Sequence, residues 1–162
     1  MSEAIEGDRS FVDEFPEEAR IVRSSLLGAF FALFLGAVFG IIQTLHRTGV
    51  FRGFISSTDY YTSLTAHGVF LAISFTTFFL VGLFTWALVR SLDRPLINIK
   101  ITWAWYALMA VGMTMTGVSI LAGFVPALDM SADVLFTFYA PLQAHPLFYT
   151  GLAVFIVGSW IA

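Results

Sequence analysis

Three histidines are the first candidates for chemistry in this sequence: His46, His67 and His145. A neutral imidazole ligates iron, copper or zinc, and it can also carry protons near neutral pH. The chain contains no cysteine, which excludes thiolate metal sites, iron–sulfur clusters and disulfide frameworks.

His67 differs from the other two because it lies about two turns inside a run with no charged residue, Tyr60–Val89. An ionisable side chain is costly in hydrocarbon, so a histidine at this position is a functional-site candidate. Ala66 and Gly68 beside it leave room for a flat group against the helix. From spacing alone, a ligand or proton-relay role and a hydrogen-bonded packing role are equally supported.

The sequence around the other two histidines favours interfacial, capping or surface roles over metal binding. His46 lies beside Arg47 at the end of an apolar run, which is typical of an interfacial side chain. His145 precedes Pro146, and proline is common in the first turn of a helix. We therefore expect His145 to cap a helix or to lie at the surface.

The amino-acid composition indicates the environment in which these histidines lie. The 162 residues are 58% hydrophobic and 12% charged, with a mean hydropathy of +0.85, whereas soluble proteins average roughly 25% charged residues. Four runs lack Asp, Glu, Lys and Arg, and each can hold the roughly 20 residues that cross a bilayer. These runs are Leu26–Leu45, Tyr60–Val89, Ile101–Leu128 and Val134–Ala162. The sequence thus predicts an all-α, multi-pass transmembrane bundle with four spanning helices.

The chain divides into two parts at Phe15. Residues 1–15 form a polar, acidic segment that we expect to be a loose cytoplasmic tail, and residues 16–162 form the transmembrane part. Proline and two acids at Pro16–Glu18 are typical of a helix start. In the first helix, small residues recur every fourth position and predict a packing face rather than direct cofactor contact. They are Gly28, Ala32, Gly36 and Gly40.

The basic residues predict the orientation. Six lie before the first uncharged run or in the second loop (residues 90–100), and two lie in the first loop (residues 46–59). Because basic residues concentrate on the cytoplasmic side, the N-terminus is predicted to be cytoplasmic and His67 to lie in the outer half of the membrane. The six are Arg9, Arg20, Arg23, Arg90, Arg94 and Lys100, and the two are Arg47 and Arg52.

Two stretches resemble a known family. Leu64–Val69, with its Thr-x-His-Gly pattern, resembles helix II of subunit I of the haem–copper terminal oxidases. Leu135–Leu142, followed by His145, resembles the segment before helix IV in the B-type (ba-type) branch of that family. Phe15–Glu17 is similar to the start of helix I in the same branch. The similarity extends over nearly the whole chain but corresponds to about the first third of such a subunit.

The resemblance implies that His67 is an axial ligand of the low-spin haem, of b or a type, and that Tyr139 is a further candidate cofactor contact. The second ring nitrogen of His67 should donate a hydrogen bond, to Ser63 or to a backbone carbonyl on the glycine face of helix I. No catalytic residue of the dioxygen-reducing centre falls in this part of the family. The high-spin haem and copper are therefore expected on later helices, beyond residue 162.

For the complete protein, the resemblance implies reduction of dioxygen to water with proton translocation, in the plasma membrane of a prokaryote. The implied partners are the remaining helices of subunit I, a subunit II with a dinuclear copper centre, membrane lipid, and an electron donor such as cytochrome c or a small copper protein. Nucleic acid is not among them.

Two alternatives stay open. A nitric oxide reductase of the same superfamily would carry its distinguishing ligands downstream. A non-catalytic cytochrome-b-type anchor would need two histidines to bracket one haem, for instance His67 and His145. A transporter or pure assembly subunit is disfavoured, because ion paths usually need charged residues within the membrane and these runs have none.

Overall fold

The computed structural model describes residues 10–51, 53–134 and 142–162. Within these ranges the chain is helical apart from loops and one isolated bridge between Ala132 and Ala144. The elements are α1 (Phe11–Glu14), α2 (Pro16–Arg47), α3 (Ser57–Gly68), a π-helical segment (Val69–Phe75), α4 (Thr76–Leu92), α5 (Ile99–Ala122), a 3-10 turn (Pro126–Leu128) and α6 (Pro146–Ile161). The predicted all-α class is confirmed.

The predicted number of spanning helices is not confirmed. In the described ranges, three helices are long and apolar enough to cross a membrane: Pro16–Arg47, Ser57–Leu92 and Ile99–Ala122. The fourth, α6, begins at Pro146 as expected and is apolar, but it has 16 residues.

The N-terminal segment is also more ordered than predicted. Residues 1–9 lie outside the described part, but residues 10–15 do not form a loose tail. Phe11–Glu14 form a short helix, and the Phe15 side chain is buried with its ring 5.7 Å from that of Phe11. The contact between these two rings packs the short helix against the start of α2.

The helix starts follow from local sequence chemistry. Pro16 occupies the first turn of α2, as predicted. Ser56 and Asp59 form a reciprocal capping box at the start of α3, which therefore begins three residues before the uncharged run. The Asn98 side chain accepts hydrogen bonds from two backbone N–H groups of α5.

A π-helical segment interrupts the second spanning helix immediately after His67. Helices α3 and α4 and the segment between them form one continuous 36-residue rod. Two hydroxyls donate to carbonyls five residues earlier: Ser74 to Val69 at 3.2 Å and Thr76 to Leu71 at 3.1 Å. These hydroxyls bond to backbone carbonyls where the wider π-helical turn weakens the regular backbone hydrogen bonds. Single π-helical segments within α-helices occur frequently at functional sites.

The bundle consists of two helix pairs. Helix α2 packs along the whole α3–α4 rod, and α5 packs along α6. The Phe78 ring of α4 joins the pairs, since its centroid lies 6.1 Å from Tyr106 of α5 and 5.6 Å from Phe155 of α6. A Cβ added at Gly28 would meet Phe78 at 3.6 Å, and Gly36 and Gly40 also face the rod. The predicted packing face of the first helix is confirmed.

Candidate functional site

The His67 side chain lies between the first two spanning helices, in the last turn of α3. Its Nδ1 is 2.8 Å from the backbone carbonyl oxygen of Gly36 on α2. A carbonyl only accepts, so Nδ1 carries the proton and donates. Ser63 is not the partner: its hydroxyl donates to the Tyr60 carbonyl at 2.7 Å, and the Nδ1 of His67 bonds to Gly36 instead. Of the two acceptors left open by the sequence, the structure selects the backbone of the glycine face.

Gly40 makes room for the imidazole. A Cβ at this position would lie 2.8 Å from His67 Cε1 and 2.9 Å from Nδ1, closer than ordinary van der Waals contact. The ring therefore occupies the volume that any other residue would fill. Together, the Gly36 carbonyl and the bare Cα of Gly40 fix the position and the tautomer of His67.

The second nitrogen of His67 is the one available for chemistry. With Nδ1 protonated, Nε2 of a neutral imidazole has a free lone pair. Within the described ranges it makes no hydrogen bond, and the residue is half-buried beside a groove of about 500 Å³. The groove runs along one side of α2 and is lined by Ala37, Gly40, Ile41, Gln43, Thr44, Leu45, Arg47 and His67. An imidazole oriented in this way can ligate a metal or accept a proton.

His46 and His145 occupy helix ends, as predicted. The His46 ring packs against Tyr60 with centroids 4.9 Å apart, and its buried Nδ1 has no hydrogen-bond partner among the described residues. His145 is the N-cap of α6, where its Nδ1 accepts from the Leu147 N–H at 3.2 Å. His67 faces α2, whereas His145 starts a helix of the other pair. This arrangement does not favour one haem bracketed by the two rings.

Two further expectations concern ligands. Tyr139 lies outside the described residues, so its predicted cofactor contact stays a prediction. Across residues 10–51, 53–134 and 142–162, no group of three or more His, Asp or Glu side chains could hold a metal ion. Any metal bound by His67 would therefore need further ligands from outside these described residues.

Comparison with known proteins identifies the family. The family described as Cytochrome C and Quinol oxidase polypeptide I matches residues 20–162. The chain belongs to this family. The resemblance to haem–copper oxidase subunit I that the sequence carries is therefore confirmed, and with its three long apolar helices the chain is a membrane protein.

Two relatives of this oxidase family chain show the extent of the match. Cytochrome c oxidase subunit 1 of Thermus thermophilus is 32% identical over 159 residues, which cover 93% of this chain and 26% of the relative. A cryo-EM structure of a heme-copper terminal oxidase dimer is similar with a TM-score of 0.77 and 31% identity, over 90% of this chain and 24% of the matched chain. The chain spans about a quarter of the length of these relatives.

Sequence reasoning missed three features of the site. It did not predict that Gly40 faces the imidazole, that a π-helical segment follows His67, or that Arg47 lines the same groove as His67. The first had a signal, because Gly36 and Gly40 lie on the small-residue face. Placing Arg47 required knowing how α2 and α3 pair, which spacing within one helix does not give.

Proposed function

We propose that this chain supplies one axial ligand, Nε2 of His67, to the low-spin haem of a haem–copper oxidase subunit I. The observation that carries the proposal is the hydrogen bond from Nδ1 to the Gly36 carbonyl, because it leaves Nε2 unprotonated and fixes the ring plane. Metal-ligating histidines usually donate their other N–H to a carbonyl or carboxylate in this way. The membership of the chain in the oxidase family supports haem as the metal group.

The surroundings of His67 fit a flat macrocycle. The groove beside the ring is open along its length and lined mainly by small or aliphatic side chains, with Ala37, Gly40 and Ile41 nearest the middle of the membrane. These three residues present no competing ligand. Of the described residues that line the groove, Arg47 carries the positive charge and none carries a negative charge.

A haem held by two imidazoles is six-coordinate and transfers electrons without binding dioxygen. His67 would hold this haem through Nε2, and the hydrogen bond from Nδ1 would keep the imidazole in the required tautomer and orientation. The complete enzyme would reduce dioxygen to water and translocate protons, using a high-spin haem and copper on helices outside this chain. Subunit II and an external electron donor complete the proposed assembly, and we place it in the B-type branch.

The proposed localisation is the plasma membrane of a prokaryote, with the N-terminus in the cytoplasm. It rests on the distribution of basic residues, six of which fall on the segments assigned to the cytoplasmic side. In this orientation the His67 groove opens towards the outer half of the membrane.

The test compares His67→Ala with His46→Ala and His145→Ala in the assembled complex. Optical and electron-paramagnetic spectra of the His67 variant should lose the low-spin signal or become high-spin, and electron flow to dioxygen should stop. The other two variants should keep the low-spin signal, because both histidines lie at helix ends. If His67 only packs, its loss would cost about 1–3 kcal/mol of stability and leave the spectrum intact. An assembled His67→Ala complex with its low-spin signal retained contradicts the proposal.

A further inference from the structure

Arg47 and Tyr60 lie side by side at one end of the His67 groove. On α2, Arg47 follows Gly40 by seven residues, which is nearly two full turns and about 10 Å along the same face. On the antiparallel α3, Tyr60 precedes His67 by seven residues, again about two turns on the same face. Gly40 contacts the His67 ring, and Arg47 contacts Tyr60. The two contacts are therefore separated by about 10 Å along one groove.

Tyr60 holds the Arg47 side chain. The Nε of Arg47 donates to the Tyr60 hydroxyl at 2.7 Å, and its guanidinium carbon lies 5.9 Å from the centre of the tyrosine ring. This bond uses one of five guanidinium N–H groups, so the four on the terminal nitrogens stay available. No carboxylate in the described part of the chain forms an ion pair with Arg47. A fixed guanidinium with free donors at a groove mouth suits a planar carboxylate.

We propose that Arg47, held by Tyr60, binds a carboxylate side chain of the haem that His67 ligates. This inference rests on the proposed function. A haem carries its two propionate carboxylates on one edge of the macrocycle, so a ring ligated through its centre at His67 can direct that edge along the groove. Arg47 is the last residue of α2 and is exposed, so the desolvation cost of a carboxylate is lowest at this end of the groove.

The arginine charge has a measurable consequence. A fixed positive charge near the haem disfavours the more positive ferric state, most strongly where the local dielectric is low. Arg47 should therefore raise the reduction potential of the low-spin haem. An arginine that only contacts lipid phosphates at the membrane surface would be screened by water and salt and would leave that potential unchanged.

The experiment uses the assembled oxidase complex with Arg47→Gln, Arg47→Lys and Tyr60→Phe. The matched control is Arg20→Gln, at the opposite end of α2, where the guanidinium pairs with Glu17 at 2.8 Å. The readouts are the midpoint potential of the low-spin haem by spectroelectrochemistry and the carboxylate bands in the redox-difference infrared spectrum.

Arg47→Gln should lower the midpoint potential and shift the carboxylate bands, and Arg47→Lys and Tyr60→Phe should cause smaller shifts in the same direction. Arg20→Gln should change neither. If Arg47→Gln does not assemble, the other two variants carry the test. Unchanged potentials and bands in assembled Arg47 variants overturn the inference and leave Arg47 as a surface arginine. That outcome is distinct from failure of the proposed function, which His67→Ala decides independently.

Discussion

Replacing Gly40 by alanine places a methyl group against the His67 ring. The new Cβ would lie 2.8 Å from Cε1, and ordinary contact begins at 3.4 Å, so the ring must move by at least about 0.6 Å. Since Gly40 and Gly36 are both on α2, a displacement away from α2 also lengthens the 2.8 Å bond from Nδ1 to the Gly36 carbonyl. A displacement of about 0.6 Å along this bond would lengthen it to about 3.4 Å, beyond the 2.7–3.2 Å range of normal N–H···O bonds.

The expected effect is a rise in the reduction potential of the low-spin haem. A weaker hydrogen bond makes Nε2 a weaker electron-pair donor to the iron, and a weaker donor stabilises the ferric state less. A net hydrogen-bond free energy of about 1 kcal/mol corresponds to about 40 mV for a one-electron couple, which is the scale of the expected shift. The sign is opposite to that expected for Arg47→Gln, so the two effects are separable in one assay.

Spectroelectrochemical titration of the assembled complex measures this shift. Gly28→Ala is the first control, because its Cβ meets Phe78 at an ordinary 3.6 Å, and it should leave the potential unchanged. Gly82→Ala is the second, because its Cβ would press on Ser25 at 3.0 Å in the same interface but away from the histidine. It should affect stability without affecting the potential. An unchanged potential in Gly40→Ala, or an equal shift in Gly82→Ala, refutes the reasoning.

Two further predictions concern topology and packing. A cysteine at Ser91 should be labelled by a membrane-impermeant reagent only from the cytoplasm, and one at Ser57 only from outside, since both residues are exposed; the reverse pattern would invert the proposed orientation. Gly112→Ala should lower the free energy of unfolding of the complex by about 3 kcal/mol or more, because its Cβ would lie 2.6 Å from the Gly151 carbonyl oxygen. Thermal unfolding should show this loss as a lower melting temperature. Gly117→Ala, with its nearest contact at 3.5 Å, should be tolerated, and equal losses in the two variants would contradict the tight packing of α5 on α6.

The sequence by itself determined the class of the protein and its main candidate ligand. Long runs without charge require helices, because lipid offers no partner for an unpaired backbone N–H or C=O. Local chemistry also predicted the helix start at Pro16 and the capping role of His145, since each depends on a few neighbouring residues. His67 was identified because an imidazole inside an uncharged run is costly, whatever surrounds it.

The tertiary structure decided what the histidine contacts. Whether Nδ1 donates to Ser63 or to a backbone carbonyl depends on how α2 and α3 pair, and the two partners of the observed bond are 31 residues apart. The same pairing brings Arg47 to Tyr60, a contact that neither helix specifies alone. Helix pairing is set by close packing of small residues over the whole interface, and only the folded chain fixes that register.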